Sequence, residues 1–197
     1  MRYDAEHKQK TRERVLKEAA KAIRTQGPHK VGVAEVMAKA GLTHGGFYAH
    51  FASKEDFIAA AIGQMFVEGQ ERLNQALAKG SPREALESYI DFYLSPAHRD
   101  TRSAGCPLPF LSMDAPRLAA PSRERFALGV ARLTAGLAGP LAELGHPDAA
   151  SEAGSVLSEM VGAVTLARAE PDPTVSDAIL ERSRRSIRRR LVLDKPS

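Results

Sequence analysis

The sequence predicts an all-α protein, with an N-terminal three-helix unit of helix-turn-helix type followed by a longer helical region. Three observations carry this reading. Apolar residues recur at helical spacing along most of the chain, Gly and Pro punctuate those stripes at helix-length intervals, and few runs are rich in β-branched residues. A chain of 197 residues can also bury a core without staples.

The first helix is expected over residues 11–25. Leu16, Ala19, Ala20 and Ile23 form its stripe, and Gly27 and Pro28 stop it. A short second helix over 33–40 buries Val33, Val36, Met37 and Ala40, with Gly41 just past its end. A third, from His44 to Phe51, follows at once. Thr43 is placed to cap it, Leu42 and Phe47 to staple it, and Phe47 and Phe51, four apart, to face inward.

"SKED" at Ser53–Asp56 is a capping-box pattern that opens a fourth helix. Its stripe of Phe57, Ile58, Ala61, Ile62, Met65 and Phe66 continues to Leu73 and Leu77, and Gly80 ends it. Ser81 and Pro82 open the next, with Leu86, Tyr89, Ile90 and Tyr93 apolar. Pro96, Pro107, Pro109, Pro116 and Pro121 break residues 95–121 into short helices and turns. Three more helices are expected over 122–144, 148–169 and 175–193.

Charge is unevenly spread. Residues 1–56 hold 11 Lys/Arg against 7 Asp/Glu, residues 57–181 hold 10 against 16, and residues 182–197 hold 7 against 1. Basic ends suggest anionic partners. The single cysteine excludes an intramolecular disulfide and fits a reducing compartment, so a cytoplasmic location is expected. No apolar run reaches the roughly 18 residues of a membrane span, and no membrane partner is expected. The chain shows no paired metal-ligand spacing, no phosphate-cradling glycine loop and no nucleophile–base motif. The expectation is a non-enzyme with no cofactor and no metal.

"LTHGGFYAHFASKEDF" (42–57) is the most informative stretch. Each Gly in a helix interior costs about 0.8–1.0 kcal/mol relative to Ala, yet Gly45 and Gly46 stand side by side. With Phe47 and Phe51 turned inward, Gly45, Gly46 and Ala49 point outward beside Tyr48. A bare outer face lets a backbone approach a duplex closely, as the second helix of a helix-turn-helix does in the major groove. Residues 11–58 resemble the DNA-binding domain of the tetracycline-repressor (TetR) family, and "AGLTHGGFYAHFASKEDF" carries most of that signal.

The resemblance implies a homodimeric, all-helical regulator. Residues 1–56 would form the DNA-binding domain, and residues 57–197 the effector-binding and dimerisation domain. It places Thr43, His44, Gly45, Gly46, Tyr48 and His50 at double-stranded operator DNA. Lys54 joins from the start of the fourth helix, and Lys30 with Lys8, Lys10 and Arg12 adds positive charge. His44 and Gly45 would lie nearest the bases, Tyr48 and His50 at phosphates. The chain departs from the family pattern at Gly32, where a capping threonine is usual, and at Ala34, where a longer polar side chain often reaches DNA.

In the acidic middle, Tyr89, Phe92, Tyr93, Cys106, Phe110 and Met113 are candidates for an effector pocket, which in a helical domain is apolar with a few polar groups. Cys106, between Gly105 and Pro107, reads first as a small buried hydrophobe and second as a reactive thiolate sensor. Leu133, Leu137, Leu141, Val156, Met160, Val161 and Val164 exceed the needs of one small core and suggest a dimer bundle, with Gly129, Gly136, Gly154 and Gly162 allowing close approach. The arginine-rich tail reads as a surface helix packed on the acidic middle. The expected function is a ligand-responsive repressor that binds a palindromic operator as a homodimer and is released by a small-molecule or electrophile effector. The alternatives are a constitutive DNA-binding protein and a helical small-molecule-binding protein.

Overall fold

The computed structural model describes residues 2–193, with side chains from residue 6 onward, and the regular elements among them are all helical. Helix α1 (Arg2–Gln26) begins nine residues before the start at residue 11 expected from sequence. Charge pairs carry this extension: Lys10 Nζ lies 2.8 Å from Glu6, and Gln9 donates to Glu13 at 2.7 Å. The basic residues Lys8, Lys10 and Arg12 therefore stand on a helix and not on a free arm.

Helix α2 (Val33–Lys39) ends in a paired turn. Leu42 N–H donates to the Met37 carbonyl and Gly41 N–H to that of Ala38, both at 2.9 Å. Gly41 takes a φ of +72°, which a side chain would resist. The next segment, His44–Ala49, is a 3-10 helix and not the expected α-helix. Two adjacent glycines weaken α-propensity, and the segment is too short to recover it cooperatively. Thr43 makes no side-chain capping bond, so its expected capping role is absent; the turn closes through Gly46 N–H to the Thr43 carbonyl, 3.1 Å.

Helix α3 (Lys54–Leu77) is capped as its sequence predicts, with Ser53 Oγ accepting from Asp56 N–H at 3.0 Å. The position 56/57 expected as a domain boundary lies in its first turn. Helix α4 (Pro82–Tyr93) opens with a complete capping box between Ser81 and Glu84. The proline-broken stretch forms α5 (Pro96–Asp100) and α6 (Leu108–Leu111), with 3-10 turns at Arg102–Ala104 and Ala115–Arg117.

Three long helices complete the fold: α7 (Ala120–Glu143), α8 (Ala149–Ala169) and α9 (Pro173–Arg190). Helix α3 lies along α7, α7 on α8, and α8 on α9. A Cβ on Gly129 would overlap the Phe66 ring, and one on Gly136 would crowd Leu73. These two glycines thus bring α7 against α3 of the same chain. Likewise Leu133, Leu137, Leu141, Val156, Met160 and Val164 are all buried in one chain's own core. Six of the seven apolar residues read from sequence as a sign of dimerisation thus lie inside the protomer, and Val161 is half-buried.

Helix α9 packs as its pattern predicts. Leu180, Ile187 and Leu191 are buried, and the arginines meet the acidic middle. Arg188 pairs with Asp91 at 3.0 Å, and Arg190 with Glu152 at 2.6 Å and Glu159 at 2.8 Å. No helix among the described residues is long and apolar enough to cross a membrane.

Candidate nucleic-acid interface

The 3-10 turn His44–Ala49 is held from behind by three phenylalanines. Phe47 and Phe51 sit 5.5 and 4.9 Å from Phe57, centroid to centroid, both nearly edge-to-face, and 5.4 Å from each other. Such ring pairs contribute about 0.5–1.5 kcal/mol each beyond burial. Phe57 belongs to α3, so the turn is fixed directly to the helix that leads into the rest of the chain. The guanidinium of Arg12 covers the Phe51 ring at 5.0 Å, tying α1 to the same cluster.

The outer surface is as bare as the sequence suggests. Thr43, His44, Gly45 and Ala49 are exposed, and Tyr48 is 73% exposed. A Cβ built on Gly45 would meet nothing within 4 Å, and one on Gly46 would make only ordinary contact with Met37 Cε at 3.7 Å. Neither glycine is required by the packing of this chain. Lys30, in the turn before α2, and Lys54, at the start of α3, are exposed, and Lys54 shares a shallow groove with His29.

Gly46 and His50 are half-buried. Burial first, and then the nearby charges of Lys8 and Arg12, hold the His50 imidazole below the ordinary histidine range. Its Nδ1 is buried with no hydrogen-bond partner. His50 is thus a less accessible phosphate ligand than Tyr48. Gly32 serves as the cap of α2 without a side-chain bond, and Ala34 is exposed, so the two family contacts that the sequence lacks have no substitute at those positions.

The effector candidates fall into two groups. Tyr89, Tyr93 and Cys106 are buried together around His98, with Tyr93 and His98 rings 4.7 Å apart. Phe92 lies 5.2 Å from His98 but is 41% exposed, and Phe110 is half-buried against the core. Met113 is 74% exposed on the surface, away from any shared enclosure with the others. The buried group is a packed aromatic cluster. Burial pushes the Cys106 thiol up, against smaller opposing effects from Tyr93 and nearby arginines, so it is a neutral thiol at neutral pH.

Two further residues organise this cluster, His98 within it and Arg24, which sequence reading passed over, linking it to the helix-turn-helix unit. Arg24, on α1 and almost fully buried, donates to the Gly105 carbonyl at 3.0 Å, the Ser103 carbonyl at 3.4 Å and the Glu68 carboxylate at 2.6 Å. His98 bridges the Tyr93 carbonyl through Nδ1 at 2.7 Å and accepts the Cys106 N–H on Nε2 at 3.0 Å. That geometry needs a neutral ring, and burial lowers its pKa to about 4. Arg24 sits among apolar neighbours in a helix, and no local pattern marks it as buried.

Residues 15–61 match the family model described as bacterial regulatory proteins, tetR family. An uncharacterized HTH-type transcriptional regulator, YfiR, of Bacillus subtilis (strain 168) is 27% identical over 105 residues, 53% of this chain and 51% of that protein. The chain therefore aligns with about half the length of this relative. The fold is shared with NemR of E. coli in its reduced form, at a TM-score of 0.80 and 22% identity over 91% of this chain and 96% of that one. It is shared equally with a TetR transcriptional regulator from Chloroflexus aurantiacus J-10-fl, at a TM-score of 0.78 and 23% identity over 95% and 96%. The family match thus falls on the helix-turn-helix, and the all-helical fold shared with these structures extends over the rest of the chain.

Proposed function

We propose that the protein is a homodimeric, ligand-responsive repressor that reads a palindromic operator with the turn His44–Ala49. In this reading residues 1–56 are the DNA-binding domain and residues 57–197 the effector and dimerisation domain. The observation that carries it is Gly45. Nothing among the described residues would touch a side chain there, and a glycine loses more backbone freedom on folding than alanine. The missing side chain serves something outside the protein, and a duplex backbone or base edge is the partner that a helix-turn-helix meets.

His44 and Gly45 are assigned to base edges. Thr43, Tyr48, His50, Lys30 and Lys54 are assigned to phosphates, with Gly46 giving clearance. Two copies would set their turns about 34–36 Å apart, one helical repeat of DNA. The outward side of the α8–α9 hairpin supports the pairing surface. Leu166 and Val175 are 62% and 46% exposed there, and a Cβ on Gly162 would meet nothing within 4 Å. An effector would act by shifting α3, which joins the two parts without a break, and the contacts of Arg24 give α1 a second link to the same region.

The test is protection of promoter DNA, beginning with the DNA upstream of the protein's own coding sequence, alongside light scattering. A protected palindrome and a dimer mass support the reading. No protection of any promoter fragment at low salt, or a monomer at operator-binding concentrations, overturns it. An electrophile is supported as the effector only if it releases wild type and not Cys106→Ser.

A further inference from the structure

A cavity of about 450 Å³ lies between α1, α3 and α7, apart from the aromatic cluster around His98. That size is in the range of sites for small organic ligands. Its charge is one-sided: Arg12, Arg125 and Arg132 line it, against the single carboxylate of Glu71. Arg125 and Arg132 are exposed on α7 and engage no acidic partner among the described residues. Two open arginines converging on a single cleft that holds one carboxylate make it a site for an anion.

The cavity is also unusually apolar at its rim. Val67 and Leu128 are 44% and 43% exposed, two of the few large apolar side chains left open to solvent among the described residues, and both belong to this cavity. Gln70 also lines the cavity. Its Nε2 donates to Asn74 at 3.0 Å, while its Oε1 is buried with no donor. A buried acceptor without a partner is destabilising, and a ligand N–H or O–H would satisfy it.

We propose that this cavity binds an amphipathic organic anion, with its acidic group at Arg125, Arg132 and Arg12, its apolar body on Val67 and Leu128, and a donor of that body at Gln70 Oε1. Binding itself follows from the cavity alone. Its effect on DNA rests on the function proposed above: Arg12 also covers Phe51, the ring that anchors the reading turn. An anion that draws Arg12 into the cavity loosens that anchor.

The probe is 8-anilinonaphthalene-1-sulfonate, which carries a sulfonate, an apolar ring system and an N–H. Its fluorescence is titrated with the full chain, then with Arg125→Ala/Arg132→Ala, and with Lys79→Ala/Arg123→Ala, which removes the same charge outside the cavity. All four side chains are exposed, and circular dichroism checks the fold of each variant. One saturable site per chain is expected, weakened about tenfold or more in the cavity variant and within about twofold in the control. Decanoate displaces the probe and decanol at equal concentration does not. Unchanged binding in the cavity variant, equal loss in both variants, or equal displacement by decanol overturns the site. Decanoate also releases operator from wild type and not from the cavity variant. Binding without release counts against the coupling to DNA and leaves the site standing, whereas loss of operator binding in the absence of any anion counts against the function.

Discussion

The N-terminal unit and helix α9 both carry an excess of basic residues, +4 over residues 1–56 and +6 over residues 182–197. On α9 most of the charge is spent inside the molecule, while Arg182 and Arg189 stay exposed with no acidic partner among the described residues. Arg188 meets Asp91 and Glu87, Arg190 meets Glu152 and Glu159, and Arg184 meets Asp91 and Glu181. At the other end Lys30 and Lys54 engage no acidic partner among the described residues and flank an exposed turn. The smaller excess is thus the freer one. What makes a basic segment an anion-binding surface is the lack of internal partners, not the count of charges, because a paired and partly desolvated cation has little potential left to offer.

The largest effect that can break this comparison is salt. With about 6–10 phosphates neutralised per dimer, operator affinity falls roughly 10³–10⁵-fold between 50 and 200 mM salt. Fluorescence anisotropy on a labelled operator measures it, and a nearly flat titration would show that the N-terminal lysines are not engaged with phosphate.

Arg24 sharpens the contrast from the opposite extreme, since its charge is fully enclosed. Arg24→Ala leaves Glu68 and two carbonyls without their donor, and a loss of about 2–4 kcal/mol is expected in urea unfolding. A loss under about 1 kcal/mol would mean that the link between α1 and the 103–105 segment is marginal.

His98 is a base kept neutral by burial. Unfolded histidine takes up its proton near pH 6.5, whereas His98 in the fold does so only near pH 4. Between those values the unfolded state binds more protons, so stability falls as pH drops through that window. The loss is roughly 3 kcal/mol in all. Urea midpoints of wild type at pH 7 and pH 4.5 test the direction, and nuclear magnetic resonance titration of the ring isolates it from the carboxylates.

Tyr48→Phe should lower affinity for operator and unrelated DNA by the same factor, about three- to tenfold, because a phosphate contact positions without specifying. A loss confined to the operator would reassign Tyr48 to a base. Smallest of all, Arg184→Ala or Arg190→Ala should cost about 0–1 kcal/mol of stability and leave DNA affinity unchanged. A marked fall in DNA affinity would return α9 to the anion-binding surface.

Much of the fold was legible because it is written in local rules. Ser53 and Ser81 cap the helices their sequences announce, Gly41 takes the positive φ of a helix end, and Phe47 and Phe51 turn inward as a spacing of four requires. The candidate DNA-facing residues were legible for the same reason: they sit on one short segment between two clear helix signals. The start of α1 was not, since i,i+4 charge pairs hold it without an apolar stripe. Nor was the 3-10 form of the turn His44–Ala49, where two glycines leave α-helix and 3-10 helix close in energy and the phenylalanine contacts decide.

By itself, the sequence determined where most helices begin and end, which face of each is buried, and that a bare, aromatic-backed turn follows α2. Those features depend on residues within four or five positions of one another. Only the tertiary structure decided which arginines are free and which are paired, that Leu133, Leu137, Leu141, Val156, Met160 and Val164 of α7 and α8 are buried inside one chain, that Arg24 reaches Gly105, and that Arg12, Arg125 and Arg132 share a cavity. Each of these joins residues dozens of positions apart, and a charge or an apolar face acquires its meaning only from what the fold sets against it.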